Sequence, residues 1–151
     1  DQLQSTIIAD PNISICSDGS PTGFHPRGHG TFAKMIELYV KERKVLSLPE
    51  AVRKMTSLPA KTLQIEDRGV LREGMKADLI IFDPSKIREK ATYPNPFQFA
   101  EGFDLVIING KIARENGTMV EKKAGAILKP ALATIQVADP MHDAYIAGWT
   151  Q

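Results

Sequence analysis

A carboxylate placed where an apolar run gives way to a loop is the group in this chain best suited to chemistry. Ser17-Asp18-Gly19 closes the apolar run of residues 13–18, which is predicted to be a strand, and catalytic groups of α/β enzymes lie where strands end. In a metal-assisted hydrolase such a carboxylate holds the attacking water and passes its proton to the leaving group. An aspartate before a glycine also caps its own turn, and the spacing alone favours that second role.

Three further polar side chains follow Asp18 within a glycine-rich stretch, residues 19–30, that is predicted to be a loop. Histidines at short spacing are typical of zinc sites, but a zinc site needs three or four ligands. His25 and His29 would therefore need Asp18 as well. The planar guanidinium of Arg27 is suited to a bidentate grip on a substrate carboxylate. Solvated positions on a surface loop are the alternative for all three side chains.

Two other residues are weaker candidates for a chemical role. Cys16 is the only cysteine; a thiolate serves as nucleophile or metal ligand, but no histidine precedes Cys16 to act as its base. A small, half-buried structural residue is the better interpretation. His142 has no visible partner. The glycine-rich stretch lacks both GxxxxGK[ST] and a GxGxxG that follows a strand, so nucleotide binding is not predicted.

Composition limits the class of protein. With 151 residues, 42% of them hydrophobic, the chain can bury one core but is too short for a complete (β/α)8 barrel, which needs roughly 200 residues. The 19 basic and 18 acidic residues nearly balance, which argues against nucleic acid or an anionic membrane as partner. The single cysteine and the lack of a visible signal peptide or transmembrane-length run predict a cytoplasmic location.

Three consecutive helices are predicted for the middle of the chain. In the first, apolar residues recur at i, i+3, i+4, i+7 and i+8 from Phe32, and Thr31 is the expected N-cap. The charged residues outside this stripe are Lys34, Glu37 and Lys41. Ser47-Leu48-Pro49-Glu50 has the spacing of a capping box with proline in the first turn. Ser57-Leu58-Pro59 repeats that signal for a shorter helix ending near residue 63.

From about residue 66 the pattern changes to antiparallel β-structure. Residues 77–83 form an apolar strand that Pro84 closes. Two further strands flank Asn109-Gly110, the strongest short hairpin signal, and Asn116-Gly117 offers another tight turn. Neither half of the chain makes a closed architecture alone.

Ordered motifs along most of the chain resemble one enzyme family. Ser17-Asp18-Gly19, His25-Pro26-Arg27 and Gly30-Thr31-Phe32 resemble the region around the eighth barrel strand of the N-acyl-D-amino-acid deacylases (D-aminoacylases), which belong to the metal-dependent amidohydrolase superfamily. The resemblance covers residues 13 to about 129. Motifs shared across the superfamily are Gly69-Val70-Leu71, Gly74-Met75-Lys76-Ala77-Asp78-Leu79 and Val106-Ile107-Ile108-Asn109-Gly110.

The resemblance implies an α/β plus β fold that is incomplete as given. Residues 1–65 would be the last strand and helices of a (β/α)8 amidohydrolase barrel, or TIM barrel. Residues 66–129 would be the C-terminal strands of a small β-sandwich, and residues 130–151 a tail of unknown role. The earlier barrel strands and the N-terminal share of the sandwich are absent from this sequence.

The resemblance also implies a reaction. A zinc-bound hydroxide would attack the acyl carbonyl of an N-acyl-D-amino acid. Asp18, matching the family's strand-eight aspartate, would be the general base beside the metal and a weak ligand to it, and would pass the proton to the leaving amine. Arg27 or His25 would orient the substrate. The family's main ligands, a cysteine and histidines, come from earlier strands, and Cys16 does not match that cysteine.

The isolated chain is therefore expected to be an inactive part of a hydrolase of non-peptide carbon–nitrogen bonds. Its exposed strand edges should pair with the missing N-terminal barrel segment or with a second copy. Two alternatives stay open. One is a cyclic-amide hydrolase of the same superfamily, resembling the dihydropyrimidinases, which usually differ after the strand-eight aspartate. The other is a truncated module without catalysis.

Overall fold

The structure is a computed structural model that describes residues 2–20 and 22–128. It contains four α-helices, α1 (Gln2–Ala9), α2 (Arg27–Lys34), α3 (Leu48–Met55) and α4 (Ser57–Thr62), and a π-helix (Met35–Glu42) that continues α2. Four strands follow: β1 (Leu79–Phe82), β2 (Phe103–Ile108), β3 (Lys111–Glu115) and β4 (Thr118–Met119). No helix among these residues is both long and apolar enough to cross a membrane. The predicted tail, with His142, lies outside the described residues.

The prediction of a strand over residues 13–18 is wrong. The segment has no regular secondary structure, and its main chain is bonded to a helix, because the Ile15 amide donates to the carbonyl of Lys54 at 2.9 Å. A strand requires a neighbouring strand for its ladder, and none of the described residues offers one. Asp18 also has a positive φ of 48°, which breaks the alternation expected along the run.

The first helix begins earlier than the sequence pattern predicts. Helix α2 starts at Arg27 behind Pro26, whose φ of −59° is already helical, so the loop predicted for residues 19–30 ends four residues sooner. Thr31 is not the N-cap: it lies inside α2, and its hydroxyl donates to the Arg27 carbonyl at 2.8 Å. Residues Met35–Glu42 are wound as a π-helix rather than an α-helix, with i→i+5 hydrogen bonds.

Both predicted helices are present, but only the Ser47 signal acts as a cap: α4 begins at Ser57 behind Thr56, whose side chain makes no capping hydrogen bond. The Ser47 hydroxyl accepts the amide of Glu50 at 3.3 Å, which satisfies one of the donors that a helix start leaves unpaired. Met35, Tyr39, Leu46 and Ala51 form one buried cluster between the π-helix and α3. The predicted apolar stripe is thus buried at its centre, although Phe32 at its start is 44% exposed.

The β-structure confirms the hairpin prediction. The sheet has the order β1-β2-β3-β4 and is antiparallel throughout. Asn109 and Gly110 have φ values of 51° and 76°, as a two-residue hairpin turn requires. Two of the motifs that carry the resemblance meet here, because the Asp78 carboxylate accepts the amide of Asn109 at 2.7 Å and Arg68 donates to both side chains.

A second buried cluster joins the helices to the sheet. Its members are Ala33, Ile36, Ile87 and Ala100, with Phe82 and Phe103 of the sheet packed against them. The predicted order of helices followed by antiparallel β-structure is therefore confirmed, whereas the described residues show no strand in the first part of the chain.

Candidate active site

Asp18 and Arg27 form the centre of the candidate site. Their carboxylate and guanidinium are joined by an ion pair and a hydrogen bond from Nη2 to Oδ2. Both side chains are exposed, which leaves them accessible to a small molecule. The guanidinium makes no other hydrogen bond to the described residues, so its remaining N–H groups are available to a second acceptor.

Two glycines allow this pair to form. Gly19 follows Asp18 and Gly28 follows Arg27, and a Cβ at Gly28 would lie 3.4 Å from the Cα of Gly19. Because neither residue has a side chain, the turn after Asp18 packs directly on the first turn of α2. That close approach brings the two charged side chains within reach of each other.

The ring nitrogens of His25 are both engaged. Nδ1 accepts the backbone amide of Arg27 at 3.0 Å, and Nε2 lies 3.1 Å from the hydroxyl of Tyr93. The two rings also meet edge to face, with centroids 5.1 Å apart. His25 is therefore beside the Asp18–Arg27 pair, but its nitrogens face the helix start and Tyr93.

His29 lies among aromatic rings instead of with His25. Its ring is 5.6 Å from that of Phe97 and 5.8 Å from that of Phe99. His29 also lines a groove of about 460 Å³ between α2, α3 and the sheet, whose walls include Phe32, Phe82, Phe99 and Phe103. The arrangement suits an apolar contact more than a metal ligand.

Helix α3 supports the segment that leads to Asp18. Lys54 is fully buried, and its ammonium donates to the Asp10 carbonyl; burial lowers the pKa of this lysine. Arg53 donates to the carbonyl of Pro11. Together with the Ile15 amide bond to the Lys54 carbonyl, these contacts fix the start of the run that ends at Asp18.

Two of the charged residues outside the apolar stripe hold a segment of main chain, a role that the periodicity of the sequence does not predict. The Lys41 ammonium donates to the carbonyls of Ser85 and Ile87 at 3.2 and 3.1 Å. Glu37 accepts the amide of Glu89 at 2.6 Å. Burial, together with Glu37, raises the pKa of Glu89 against the opposing charge of Lys34. We call residues 84–91, held in this way, the docked segment.

The described residues do not form a metal site by themselves. No group of three or more histidine, cysteine, aspartate or glutamate side chains in residues 2–20 and 22–128 is arranged to hold a metal ion. The arrangement of Asp18 with His25 and His29 considered from the sequence is thus not formed, because the two imidazoles face Tyr93 and the phenylalanines. Cys16 is exposed, and its sulfur accepts the amide of Asp18 at 3.3 Å.

Residues 2–114 match the amidohydrolase family, and the chain belongs to that family. Among curated proteins it is similar to the N-acyl-D-aspartate deacylase of Alcaligenes xylosoxydans xylosoxydans, with 36% identity over 126 residues, 82% of this chain and 25% of that protein. The chain thus spans about a quarter of this relative's length.

Two solved structures are also similar. The crystal structure of D-aminoacylase has a TM-score of 0.78 and 34% identity over 83% of this chain and 27% of its own. That of N-acyl-D-glutamate deacylase from Bordetella bronchiseptica, complexed with zinc and a phosphonate inhibitor that mimics the tetrahedral intermediate, has a TM-score of 0.70 and 34% identity over 75% and 25%.

Proposed function

We propose that this chain supplies the last part of the active site of a zinc-dependent amidohydrolase that cleaves the amide bond of N-acyl-D-amino acids. The observation that carries the proposal is the exposed Asp18 carboxylate, paired with Arg27 across the Gly19–Gly28 contact. The similarity to deacylases of N-acyl-D-aspartate and N-acyl-D-glutamate supports the same substrate class.

Each residue of the pair has a separate role in the proposal. Asp18 accepts a proton from the attacking water and delivers it to the nitrogen of the leaving amine, so that the amide C–N bond breaks and a carboxylate and a free D-amino acid are released. Arg27 binds the substrate carboxylate through the N–H groups that Asp18 does not use. His25 contributes to substrate orientation through Arg27, since both of its ring nitrogens are engaged.

Zinc requires ligands that the described residues do not provide. Asp18 offers one carboxylate, and a catalytic zinc site takes three protein ligands. We propose that residues outside this chain hold the metal and that Asp18 is at most a weak ligand. The zinc-bound deacylase structure supports the choice of metal.

The rest of the architecture follows from the same similarity. We propose that residues 1–65 belong to the end of a (β/α)8 barrel and residues 66–129 to a β-sandwich, completed by an N-terminal segment or a second copy. Exposed apolar residues of the edge strand β1, Ile80 and Ile81, support a missing neighbour. A cytoplasmic location remains part of the proposal and rests on the single cysteine.

A second candidate function applies to the chain by itself: a truncated module without catalysis. The observation that favours it is the lack of a three-ligand metal cluster in residues 2–20 and 22–128. Zinc per chain, measured by elemental analysis of protein purified without added metal, distinguishes the two. We expect less than one zinc in ten chains; near-stoichiometric zinc would show that the isolated chain already has a working site.

A chimera tests the proposed reaction. In it, this chain replaces the matching C-terminal part of the N-acyl-D-aspartate deacylase, and folding and zinc content are verified first. We expect hydrolysis of N-acyl-D-amino acids and none of a dihydropyrimidine. Asp18→Asn should lower kcat/KM by about 10²-fold or more, whereas Asp104→Asn, an exposed strand carboxylate, should not. A folded, zinc-loaded chimera that prefers the cyclic amide would overturn the substrate assignment.

A further inference from the structure

We propose that Tyr93 is a positioning residue for the Asp18–Arg27 pair and acts through the imidazole of His25. The proposal rests on the function proposed above for Asp18 and Arg27, and it assigns a role to a residue 68 positions from its partner. The contacts form one chain: Tyr93 to His25, His25 to the main chain of Arg27, and the Arg27 guanidinium to Asp18.

The hydrogen bonds of His25 define its tautomer. A backbone N–H can only donate, so Nδ1, which receives the Arg27 amide, carries no proton. In a neutral imidazole the other nitrogen then carries it, and Nε2–H donates to the Tyr93 oxygen at 3.1 Å. The Arg27 amide thus determines the tautomer, and the phenol, as the acceptor of Nε2–H, holds the ring in the orientation in which Nδ1 faces that amide.

The bond to Arg27 lies where it determines the start of a helix. Helix α2 begins at Arg27, and the first amides of a helix have no partner within the helix. The side chain of Pro26, the residue before the helix, makes no capping hydrogen bond. His25 Nδ1 takes over that function one residue earlier, and the direction in which Arg27 leaves the helix depends on it.

Tyr93 is itself held by its surroundings. Thr92 and Asn95 exchange two main-chain hydrogen bonds, of 3.1 and 3.0 Å, around it. Four residues on, the Phe97 ring packs edge to face on Phe24 and His29, at 5.5 and 5.6 Å. The residues on both sides of His25 are therefore in contact with the segment that carries Tyr93.

The tautomer is measured directly by ¹H–¹⁵N spectroscopy of the imidazoles in the full ¹⁵N-labelled chain at about pH 8, where free imidazole is neutral. Loss of a signal in His25→Asn assigns His25 among the three histidines. We expect a protonated Nε2 and a bare Nδ1. In Tyr93→Phe, which keeps the ring but removes the acceptor, we expect a shifted Nε2–H signal and a shifted Arg27 amide signal, because the imidazole is no longer held in one orientation.

Tyr39→Phe is the matched control, because it removes a hydroxyl from a buried tyrosine elsewhere and should leave the His25 signals unchanged. A protonated Nδ1 in the unmodified chain, or identical His25 signals in Tyr93→Phe, would overturn the proposal. Because Tyr93 is 74% exposed, its substitution leaves the fold intact.

Activity of the chimera provides the second readout. Tyr93→Phe should lower kcat/KM about two- to tenfold, the effect of one lost hydrogen bond. His25→Asn, whose side-chain oxygen can accept the Arg27 amide, should retain more activity than His25→Ala. Equal loss in both variants would count against the positioning role. A chimera without any activity contradicts the proposed function instead, and the tautomer measurement still decides the role of Tyr93.

Discussion

A Cβ placed on Gly19 would lie 3.3 Å from the carbonyl oxygen of Gly28. This contact is closer than side-chain carbons usually come to a backbone oxygen, so the turn after Asp18 and the first turn of α2 can be this close only without a side chain. The distance between Asp18 and Arg27 therefore depends on two residues that have no reactive group.

Gly19→Ala should disturb the site more than the fold. The added methyl group must push the turn away from Gly28 by a few tenths of an ångström, and small misplacements of catalytic groups reduce rates strongly. We expect kcat/KM of the chimera to fall about three- to tenfold, with little change in thermal stability. Gly125→Ala is the control, because a Cβ there meets nothing within 4 Å. Equal activities of the two variants would contradict the packing argument.

Gly102→Ala should be strongly destabilising. Gly102 has a φ of 86°, and a Cβ there would lie 2.6 Å from the amide nitrogen of Ile87 and the carbonyl of Lys86. We expect the free energy of unfolding to fall by about 2–4 kcal/mol, since backbone strain adds to a main-chain clash.

Gly110→Ala separates the two contributions to that loss. Its φ of 76° is similarly strained, but the space around it is open, so it should cost about 1–2 kcal/mol. Denaturant unfolding of both variants measures the difference, and similar losses would show that the docked segment yields to the methyl group.

Stability should depend on pH in opposite directions at two glutamates. Burial raises the pKa of Glu89 above its ordinary value of 4.5, so the folded chain binds this proton more tightly than the unfolded chain. Its contribution to the free energy of unfolding is complete below pH 4.5 and is lost as pH rises through the raised pKa. Relative to Glu89→Gln, the unmodified chain should therefore lose stability as pH increases above 4.5.

Glu50 provides the comparison. Hydrogen bonds from Arg53, both 2.8 Å, lower its pKa below the ordinary 4.5. The stabilisation it contributes is present above 4.5 and is lost as pH falls through the lowered pKa. The free energies of unfolding should therefore show opposite trends. The difference between the unmodified chain and Glu89→Gln should change as pH rises above 4.5, and the difference from Glu50→Gln should change as pH falls below 4.5. Differences that do not depend on pH would refute the assignment.

The isolated chain should associate with itself through strand β1. This strand lies at the edge of the sheet, and its residues Ile80 and Ile81 are each 55% exposed. Light scattering after size exclusion should give a mass above 16.6 kDa that decreases in Ile81→Lys, because a lysine on an edge strand opposes pairing. Leu3→Lys, in α1, should leave the mass unchanged. A monomer at all concentrations would contradict this prediction.

Local signals in the sequence predicted the elements that depend on neighbouring residues. The Ser47 cap and the Asn109-Gly110 turn each involve a few adjacent residues, and both are formed as expected. The run at residues 13–18 has the composition of a strand, but a strand also needs a partner, which local pattern does not supply. The early start of α2 had one signal that was not used, Pro26, a residue favoured at helix starts.

In the candidate site, too, only contacts between residues close in sequence could be predicted. Asp18 and Arg27 are nine positions apart, close enough for their motifs to suggest a common location. Tyr93 has no local signal, because its contact with His25 spans 68 positions. Glu37 and Lys41 lie outside the apolar stripe, as predicted. The periodicity of side chains does not show, however, that these two residues bind the main chain of the docked segment instead of water.

The docked segment has a consequence for how the site moves. Helix α2 and the π-helix form one continuous helical body that begins at Arg27 and includes Lys41 near its end. Lys41 donates hydrogen bonds to the docked segment, and the chain continues from that segment to Tyr93. The two partners of His25 are thereby attached to the same body. A displacement of that body would therefore move both partners together and change the distance that His25 bridges less than the position of either partner. The distance between Arg27 and Tyr93 is thus maintained by their attachment to one helical body and depends less on the rigidity of the loop that carries His25.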